Sequence, residues 1–147
     1  MNRTFEALMF SNRVRIVFDS NELCGIDGMS LDARFKAMIV WLVLNGRAEE
    51  ALGLLAKHYA TTIPSLKVGL PKRHRKDTLG CYEGKNKVIS VLNSDKLKDP
   101  LVILHEFYHH LRTDVDLKHK GTEKNANTFA KDFLQAYTVM LGTPREP

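Results

Sequence analysis

The sequence predicts an α+β fold in a single domain. Apolar side chains recur at spacings of three and four in four segments with helix start or stop signals. Short β-prone runs lie before the first segment and between the second and third. The 147 residues, 44% of them hydrophobic, suffice for one domain with its own core and are too few for two of ordinary size. We therefore interpret residues 1–147 as one domain, in which residues 1–64 supply strands and two helices and residues 65–141 supply a sheet and two further helices.

The N-terminal part of the chain predicts two strands followed by a helix. Residues 4–18 contain two β-prone stretches, and the second, Val14–Phe18, alternates apolar and polar side chains only loosely. Ser30 is a suitable N-cap for a helix over Leu31–Leu44, and Asn45-Gly46 is a stop signal. The many apolar residues of this helix predict that it is well buried.

A second helix and three short strands follow. Apolar residues at helical spacing predict a helix over Ala48–Tyr59, which ends before Pro64 because proline cannot continue it. The β-like runs Ser65–Leu70, Thr78–Glu83 and Lys87–Leu92 are separated by loop and turn residues. The last two of these runs predict a hairpin.

Two helices complete the chain. Asp99 is a suitable N-cap for a helix over Leu101–Arg112, and Pro100 stands at its first position, where the missing N–H costs nothing. Apolar residues that mostly alternate spacings of three and four predict the last helix over Thr122–Leu141.

Composition and local pattern exclude several classes of protein. The longest apolar run, Ala37–Leu44, falls far short of the roughly 20 residues that a membrane span needs, and Met1–Phe10 lacks the apolar core of a secretory signal. The two cysteines, Cys24 and Cys81, have no metal-binding spacing, so we interpret them as free thiols of a reducing compartment. We therefore expect a soluble, cytoplasmic protein without a membrane partner.

One basic run contributes to the net charge of +5. The run Pro71–Asp77 contains four cationic side chains, Lys72, Arg73, Arg75 and Lys76, which can meet the phosphates of a nucleic acid. A solvated loop is the preferred interpretation, because charge runs usually lie in water. Nucleic acid remains a possible partner of this loop.

One five-residue motif carries most of the functional information. His105-Glu106-Phe107-Tyr108-His109 has the form HExxH and lies inside the third predicted helix. Positions i and i+4 of a helix lie one turn apart on the same face, so both imidazoles can reach one ion, and zinc fits this geometry. Glu106 can contact a water on that ion without binding the ion itself, which is the position of a general base.

The residues around the motif predict that its helix is held by packing on both sides of the histidine pair. Ile103 and Phe107 form one apolar stripe. A second stripe consists of Leu101, Leu104, Tyr108 and Leu111. Buried imidazoles need polar partners, so the alternative interpretation is that both histidines are core residues satisfied by hydrogen bonds.

A third zinc ligand is expected downstream, because catalytic zinc usually has three protein ligands. Glu123 is the best candidate: it follows Gly121-Thr122 at the start of the last helix, 14 residues beyond His109, which leaves room for a loop that turns the chain back. Asn127 lies one turn further on the same face. Its side chain can bond the free nitrogen of a ligating histidine and fix its tautomer.

At these residues the sequence resembles a known group of enzymes. The HExxH motif followed by Glu123-x-x-Ala126-Asn127-x-Phe129-Ala130 is similar to the signature of the gluzincins, and in particular of the ImmA/IrrE-type metallopeptidases and the minigluzincins. The resemblance covers about residues 65–141, because Leu79–Tyr82 and Val88–Val91 are similar to the strands that lie above the cleft in those families.

The resemblance implies a zincin-like fold, in which a small mixed β-sheet packs on the HExxH helix and a C-terminal helix carries the glutamate ligand. It also implies hydrolysis of a peptide or protein substrate, which lies along the edge strand through main-chain pairing. Residues 1–64 match nothing in these families. Thermolysin-like gluzincins place an aspartate where Asn127 stands, so the bond to the ligating histidine is expected to be neutral here.

The expected function is that of a zinc-dependent endopeptidase. Zinc (Zn2+) lowers the pKa of water towards about 7, Glu106 accepts the proton, and the hydroxide attacks the polarised peptide carbonyl. The resulting oxyanion needs a further donor. The candidates by residue type are Tyr108, His110, His119 and Tyr137.

Two acidic residues, Asp114 and Asp116, follow the predicted helix and offer possible extra ligands. A solvated turn is the preferred interpretation for both.

Three alternatives share these sequence features. A latent enzyme could be blocked by its own tail, residues 142–147, as the resemblance to minigluzincins allows. An inactive module would bind zinc without turnover. A DNA-associated protease of the SprT-like group would use the basic loop and bind nucleic acid in a salt-dependent way.

Overall fold

The computed structural model describes residues 4–9, 14–19, 30–72, 78–115 and 121–142. The elements are β1 (Thr4–Met9), β2 (Val14–Asp19), α1 (Leu31–Leu44), α2 (Ala48–His58), β3 (Ser65–Val68), β4 (Gly80–Glu83), β5 (Val88–Val91), a 3-10 helix (Ser94–Lys98), α3 (Pro100–Val115) and α4 (Glu123–Leu141). The described residues therefore form an α+β structure, and the predicted fold class is confirmed at this level.

The strands form two sheets. β1 and β2 pair antiparallel, with Thr4 opposite Asp19. The other three strands lie in the order β3-β5-β4, in which β3 is parallel and β4 antiparallel to β5. The sheet is mixed, and the predicted hairpin of the last two strands is confirmed. Both β3 and β4 lie at its edges.

The predicted caps Ser30 and Asp99 are confirmed, and Thr122, predicted as the first residue of the last helix, is its cap. The side chain of Ser30 accepts a hydrogen bond from the Ala33 N–H at 3.1 Å, and that of Thr122 accepts one from the Asn125 N–H at 3.1 Å. The Asp99 carboxylate accepts from the Leu101 N–H at 3.0 Å. Helix α3 continues to Val115 instead of ending at Arg112, and the 3-10 helix before it was not predicted.

Helix α1 lies at the centre of the core. It contacts α2, α3 and α4. Most of its side chains between Phe35 and Val43 are buried, as predicted. The buried side chains that α3 and α4 add to this core are Ile103, Leu104, Phe107, Ala130 and Phe133. Leu101, by contrast, is 43% exposed, so the predicted second stripe of α3 does not extend to the first turn of the helix.

A polar contact joins α1 to α4 at the rim of this core. Lys36 lies between Asp132 of α4 and Asp32 of α1, whose carboxylate is 3.2 Å from the ammonium group. Burial lowers the pKa of Lys36, but hydrogen bonds to the two carboxylates outweigh it and raise the pKa above its ordinary value. The contact fixes α4 along α1.

Strand β4 runs along α3 in the same direction. A Cβ atom placed on Gly80 would lie 2.7 Å from Cγ1 of Val102 and 3.2 Å from Cγ of Glu106. Two residues later, the hydroxyl of Tyr82 lies 2.8 Å from Nδ1 of His110. The motif-bearing helix therefore has one edge strand of the sheet directly beside it.

Within the described residues, no helix combines the length and the apolar character that crossing a membrane requires.

Candidate metal centre

The two motif histidines present their Nε2 atoms to the same point. His105 and His109 lie one turn apart on α3, and their Nε2 atoms are 3.2 Å apart. Their rings are close to perpendicular, with centroids 4.9 Å apart. His109 is buried and His105 is partly exposed, so the pair lies at the boundary between the core and solvent.

Glu123 completes the cluster from the first residue of α4. Its Oε2 lies 2.6 Å from Nε2 of His105, and its Oε1 lies 3.2 Å from Nε2 of His109. Gly121 makes this approach possible, because its φ of +79° is in the left-handed region and a Cβ there would lie 2.5 Å from Cε1 of Tyr108. The structure therefore brings the three sequence-predicted ligands together.

The hydrogen bond between His105 and Asn127 fixes which nitrogen of His105 faces the cluster. Nδ1 of His105 lies 2.8 Å from Oδ1 of Asn127, so Nδ1 carries the proton and donates it. Nε2 of the same ring then offers a lone pair to the point where the Glu123 carboxylate also lies. Asn127 thus occupies the position predicted for it.

The distances within the cluster fit a zinc ion. Tetrahedral zinc with bonds of about 2.0–2.1 Å needs ligand atoms about 3.3 Å apart. Two of the separations here are 3.2 Å. The third, from His105 to Glu123, is 2.6 Å and involves the other carboxylate oxygen of Glu123, whose side chain is 69% exposed, so this pair must open to reach the zinc spacing. Within the described residues, His105, His109 and Glu123 are the group of histidine, cysteine and carboxylate side chains that can hold a metal ion.

Glu106 lies apart from the ligand atoms, on the side of α3 that faces β4. Its side chain belongs to a residue that is only 7% exposed, and the backbone of Gly80 lies directly against it. One residue of α-helix turns the side chain by about 100° away from His105. Glu106 is therefore buried between α3 and the edge strand β4, one residue along the helix from His105.

A second polar cluster lies on α3 beyond the cluster of His105, His109 and Glu123. His110 is completely buried, and its Nε2 lies 2.7 Å from the carbonyl oxygen of Thr62 while its Nδ1 contacts Tyr82. Asp114 accepts hydrogen bonds from the hydroxyl of Thr61 and from the N–H and hydroxyl of Thr62, the last at 2.9 Å. These bonds attach the connection between α2 and β3 to the motif-bearing helix.

Burial and hydrogen bonding in this cluster shift two pKa values. Burial raises the pKa of Asp114, but hydrogen bonds from Thr61, Thr62 and Lys87 outweigh burial and hold it well below its ordinary value. Burial, followed by the negative charge of Asp114, raises the pKa of Tyr82 to about 12. The solvated turn predicted for Asp114 is wrong, because α3 continues through it and buries most of its side chain.

The oxyanion candidates are placed differently from one another. Tyr108 lies near the cluster, where its ring packs on Gly121 and against Phe129, and its centroid is 5.9 Å from that of His109. His110 faces Tyr82 and Thr62, away from the metal ligands. Tyr137 lies 14 residues beyond Glu123 on α4, which is about 21 Å along the helix axis. This distance separates Tyr137 from the cluster.

Several predicted positions lie outside the described residues. They are Cys24, Arg73, Arg75, Lys76, Asp116, His119 and the tail 143–147. Lys72 is exposed at the edge of this gap, and Cys81 lies in β4.

The polar cluster around His110 was missed by sequence reasoning. Its partners come from Thr62, Tyr82 and Lys87, which are separated from α3 by up to about fifty residues, and no short motif joins them. The close approaches at Gly80 and Gly121 were missed as well. Only Gly121, directly before the helix cap Thr122, carried a local signal.

Comparison of the chain with protein-family models, curated proteins and solved structures gives no match. The functional conclusion therefore depends on the side chains of the site and their geometry, which is where the function of a fold resides.

Proposed function

We propose that this protein is a zinc-dependent endopeptidase of the gluzincin type, with His105, His109 and Glu123 as zinc ligands and Glu106 as general base. One observation carries the proposal. Two imidazole nitrogens and a carboxylate converge: the nitrogens are 3.2 Å apart, near the spacing of ligands on tetrahedral zinc, and the two Glu123 oxygens lie 3.2 Å from His109 and 2.6 Å from His105. A pair of core histidines satisfied by each other would not require a carboxylate from a second helix at the same point.

The surroundings of the cluster support a zincin-like arrangement. The mixed sheet lies on α3, its antiparallel edge strand β4 runs beside the motif, and α4 supplies the glutamate. These are the features that the resemblance to gluzincins implies. Residues 78–142 carry the strand, the motif and the third ligand, apart from the loop 116–120, which lies outside the described residues.

The chemistry divides between the metal and Glu106. Zinc, when bound, supplies Lewis acidity, which lowers the pKa of water and polarises a carbonyl group. Glu106 takes a proton from the attacking water and passes it to the leaving amine. Its buried position against Gly80 keeps the carboxyl group from rotating freely into solvent. The single-residue offset from His105 places it beside the ligands without joining them.

Among the described strands, β4 pairs with β5 alone, so its other edge is suited to binding an extended peptide. The N–H of Leu92 donates to the carbonyl of Leu79 at 2.9 Å, so this residue pair bonds across the hairpin. Because bonded and non-bonded pairs alternate in an antiparallel ladder, the main-chain groups of Gly80 and Tyr82 point outward from β5. A substrate strand can pair with these groups along the same side of α3 that carries Glu106.

Metal content is the first measurement that tests this proposal. We expect near-stoichiometric zinc by mass spectrometry in the protein purified without added metal, and its loss in Glu123→Ala. Glu106→Gln should keep the zinc and lose at least about a hundredfold in the rate of peptide hydrolysis. Glu49→Ala, which removes an exposed carboxylate from the first turn of α2, is the matched control and should change neither quantity.

Three other outcomes have defined meanings. A folded wild-type protein that lacks zinc and binds none when it is added contradicts the metal site. A zinc-loaded protein that cleaves nothing in a mixed peptide library indicates an inactive zinc-binding module. Removal of residues 143–147 followed by a gain of cleavage indicates latency.

A further inference from the structure

The buried ring of His110 connects α3 to two other parts of the protein. Nε2 lies 2.7 Å from the carbonyl oxygen of Thr62, so this nitrogen carries the proton and donates it. Nδ1 then offers its lone pair to the hydroxyl of Tyr82 at 2.8 Å. The side chain is completely buried and both of its nitrogens are used. One ring therefore holds the α2–β3 connection on one side and the edge strand on the other.

The spacing of the contacts relates His110 to the general base. Glu106 and His110 are separated by one helical turn, which is about 6 Å along α3. Gly80 and Tyr82 are separated by two strand residues, which is about 6.7 Å along β4. Gly80 lies against Glu106, and Tyr82 bonds to His110 on the same face of the strand. If the contact between Tyr82 and His110 is held in place, the contact between Gly80 and Glu106 is therefore held as well.

The rest of the cluster makes His110 a rigid anchor. Thr62, which accepts from Nε2, is also bonded to Asp114 through its N–H and hydroxyl. Lys87, directly before the hairpin's second strand, places its ammonium 3.3 Å from the same carboxylate. Because the ring cannot move without breaking the bond to Thr62, a displacement of β4 along α3 must break the bond to Tyr82.

We propose that His110 is a positioning residue for substrate: through Tyr82 it sets the register of β4 on α3, and so places the outward main-chain groups of the strand beside Glu106. This inference rests on the proposed peptidase function. His110 itself touches neither the ligand cluster nor the expected path of the substrate. Its effect is transmitted through the strand.

Three variants separate the two hydrogen bonds of the ring, and a fourth is their control. Tyr82→Phe removes only the hydroxyl. His110→Gln places an amide N–H near the position of Nε2 and loses the acceptor for Tyr82, whereas His110→Asn places an amide oxygen near the position of Nδ1 and keeps that acceptor. Tyr59→Phe is the matched control, because it deletes the same atom from a partly buried tyrosine that packs on Phe107 of α3 and not on β4.

The measurements are zinc content, amide hydrogen exchange of residues 80–83, and KM and kcat for a quenched fluorescent peptide that the wild-type protein cleaves. We expect the Tyr82→Phe and His110→Gln variants to retain zinc. The amide hydrogens of β4 should exchange faster in both variants than in the wild type. Their KM should rise about tenfold, the equivalent of one lost hydrogen bond, while kcat stays within about twofold. Combining the two should add little, because both remove the same interaction. His110→Asn should restore most of the wild-type KM.

Two results would overturn the inference. One is an unchanged exchange rate and KM in Tyr82→Phe, and the other is loss of zinc in that variant, which would assign the ring to the metal site. If the His110 variants do not fold, Tyr82→Phe alone decides. A wild-type protein that cleaves no peptide overturns the proposed function instead, and the exchange rates then show separately whether His110 holds the strand.

Discussion

Oδ1 of Asn127 lies 2.8 Å from Nδ1 of His105, on the opposite side of the imidazole from the carboxylate of Glu123. Both partners come from one face of α4, four residues apart, so a single helix holds both nitrogens of this ring. The bond directs the lone pair of Nε2 toward the cluster. In this respect α4 contributes as much to the geometry of His105 as α3 does.

Removing this contact should weaken metal binding. We expect Asn127→Ala to lower zinc affinity about 10–100-fold, since a ligating histidine without its hydrogen-bond acceptor loses its fixed orientation. Asn127→Asp should raise the affinity above that of the wild type, because a carboxylate makes the imidazole a more basic ligand. Competition with a chelator measures both. Thr128→Ala, at a neighbouring exposed position of α4, should leave the affinity unchanged.

A methyl group at Gly80 should impair catalysis while sparing the metal. The new Cβ would lie 2.7 Å from Val102 and 3.2 Å from Glu106, so the strand or the general base must move. We expect Gly80→Ala to lower kcat/KM at least about tenfold with zinc content retained. Gly53→Ala provides the control, since nothing lies within 4 Å of its Cβ position in α2. It should keep full activity and gain about 0.5–1 kcal/mol in stability. Equal activity in the two variants would contradict the role given to the Gly80 contact.

Gly121→Ala tests the approach of α4 to α3. Its φ of +79° disfavours any side chain, and a Cβ would meet the Tyr108 ring at 2.5 Å. We expect a loss of zinc affinity, because the first turn of α4 carries Glu123. Gly69→Ala shares a positive φ, +108°, but has nothing within 4 Å, so it isolates backbone strain from crowding. If both variants lose zinc equally, the contact with Tyr108 does not position the ligand.

Asp114 gives the unfolding free energy a pH dependence of known sign. Its pKa in the folded state lies well below the ordinary value of 3.8, so its stabilising contribution is present above about pH 4 and is lost as the pH falls further. We expect Asp114→Asn to cost about 2 kcal/mol at pH 7 and less at pH 3, where the loss has begun, as measured by urea unfolding. Asp95→Asn, at an exposed position of the 3-10 helix, should cost little at either pH. An equal cost of Asp114→Asn at both values would exclude the charge as the cause.

The helices and the proximity of His105, His109 and Glu123 were predictable because their signals are local. Ser30 and Thr122 cap helices through bonds to residues three positions away, and the HExxH spacing is one helical turn. Glu123 was predicted because the chain needs only a short connection to return to His109. These predictions depend on residues that are close in sequence, or on the three protein ligands that catalytic zinc usually has.

The parts that were missed depend on contacts between distant segments. Whether β3 joins the sheet beside β5 or β4 is not encoded in either strand alone, and the bond from His110 to Thr62 spans 48 residues. Asp114 was predicted to lie in solvent because aspartate usually marks a turn. In the structure, Thr61, Thr62 and Lys87 offset the cost of burying it.

Because the proposed ligands come from two helices, a zinc ion bound between them would join α3 to α4 as a cross-link. Binding to the folded chain alone adds to its stability by mass action, about 4 kcal/mol when free zinc exceeds the dissociation constant a thousandfold. The midpoint of thermal unfolding should then rise with zinc concentration and fall with chelation. In a cell, the fraction of this protein that is folded, and therefore protected from degradation, would follow the supply of the metal.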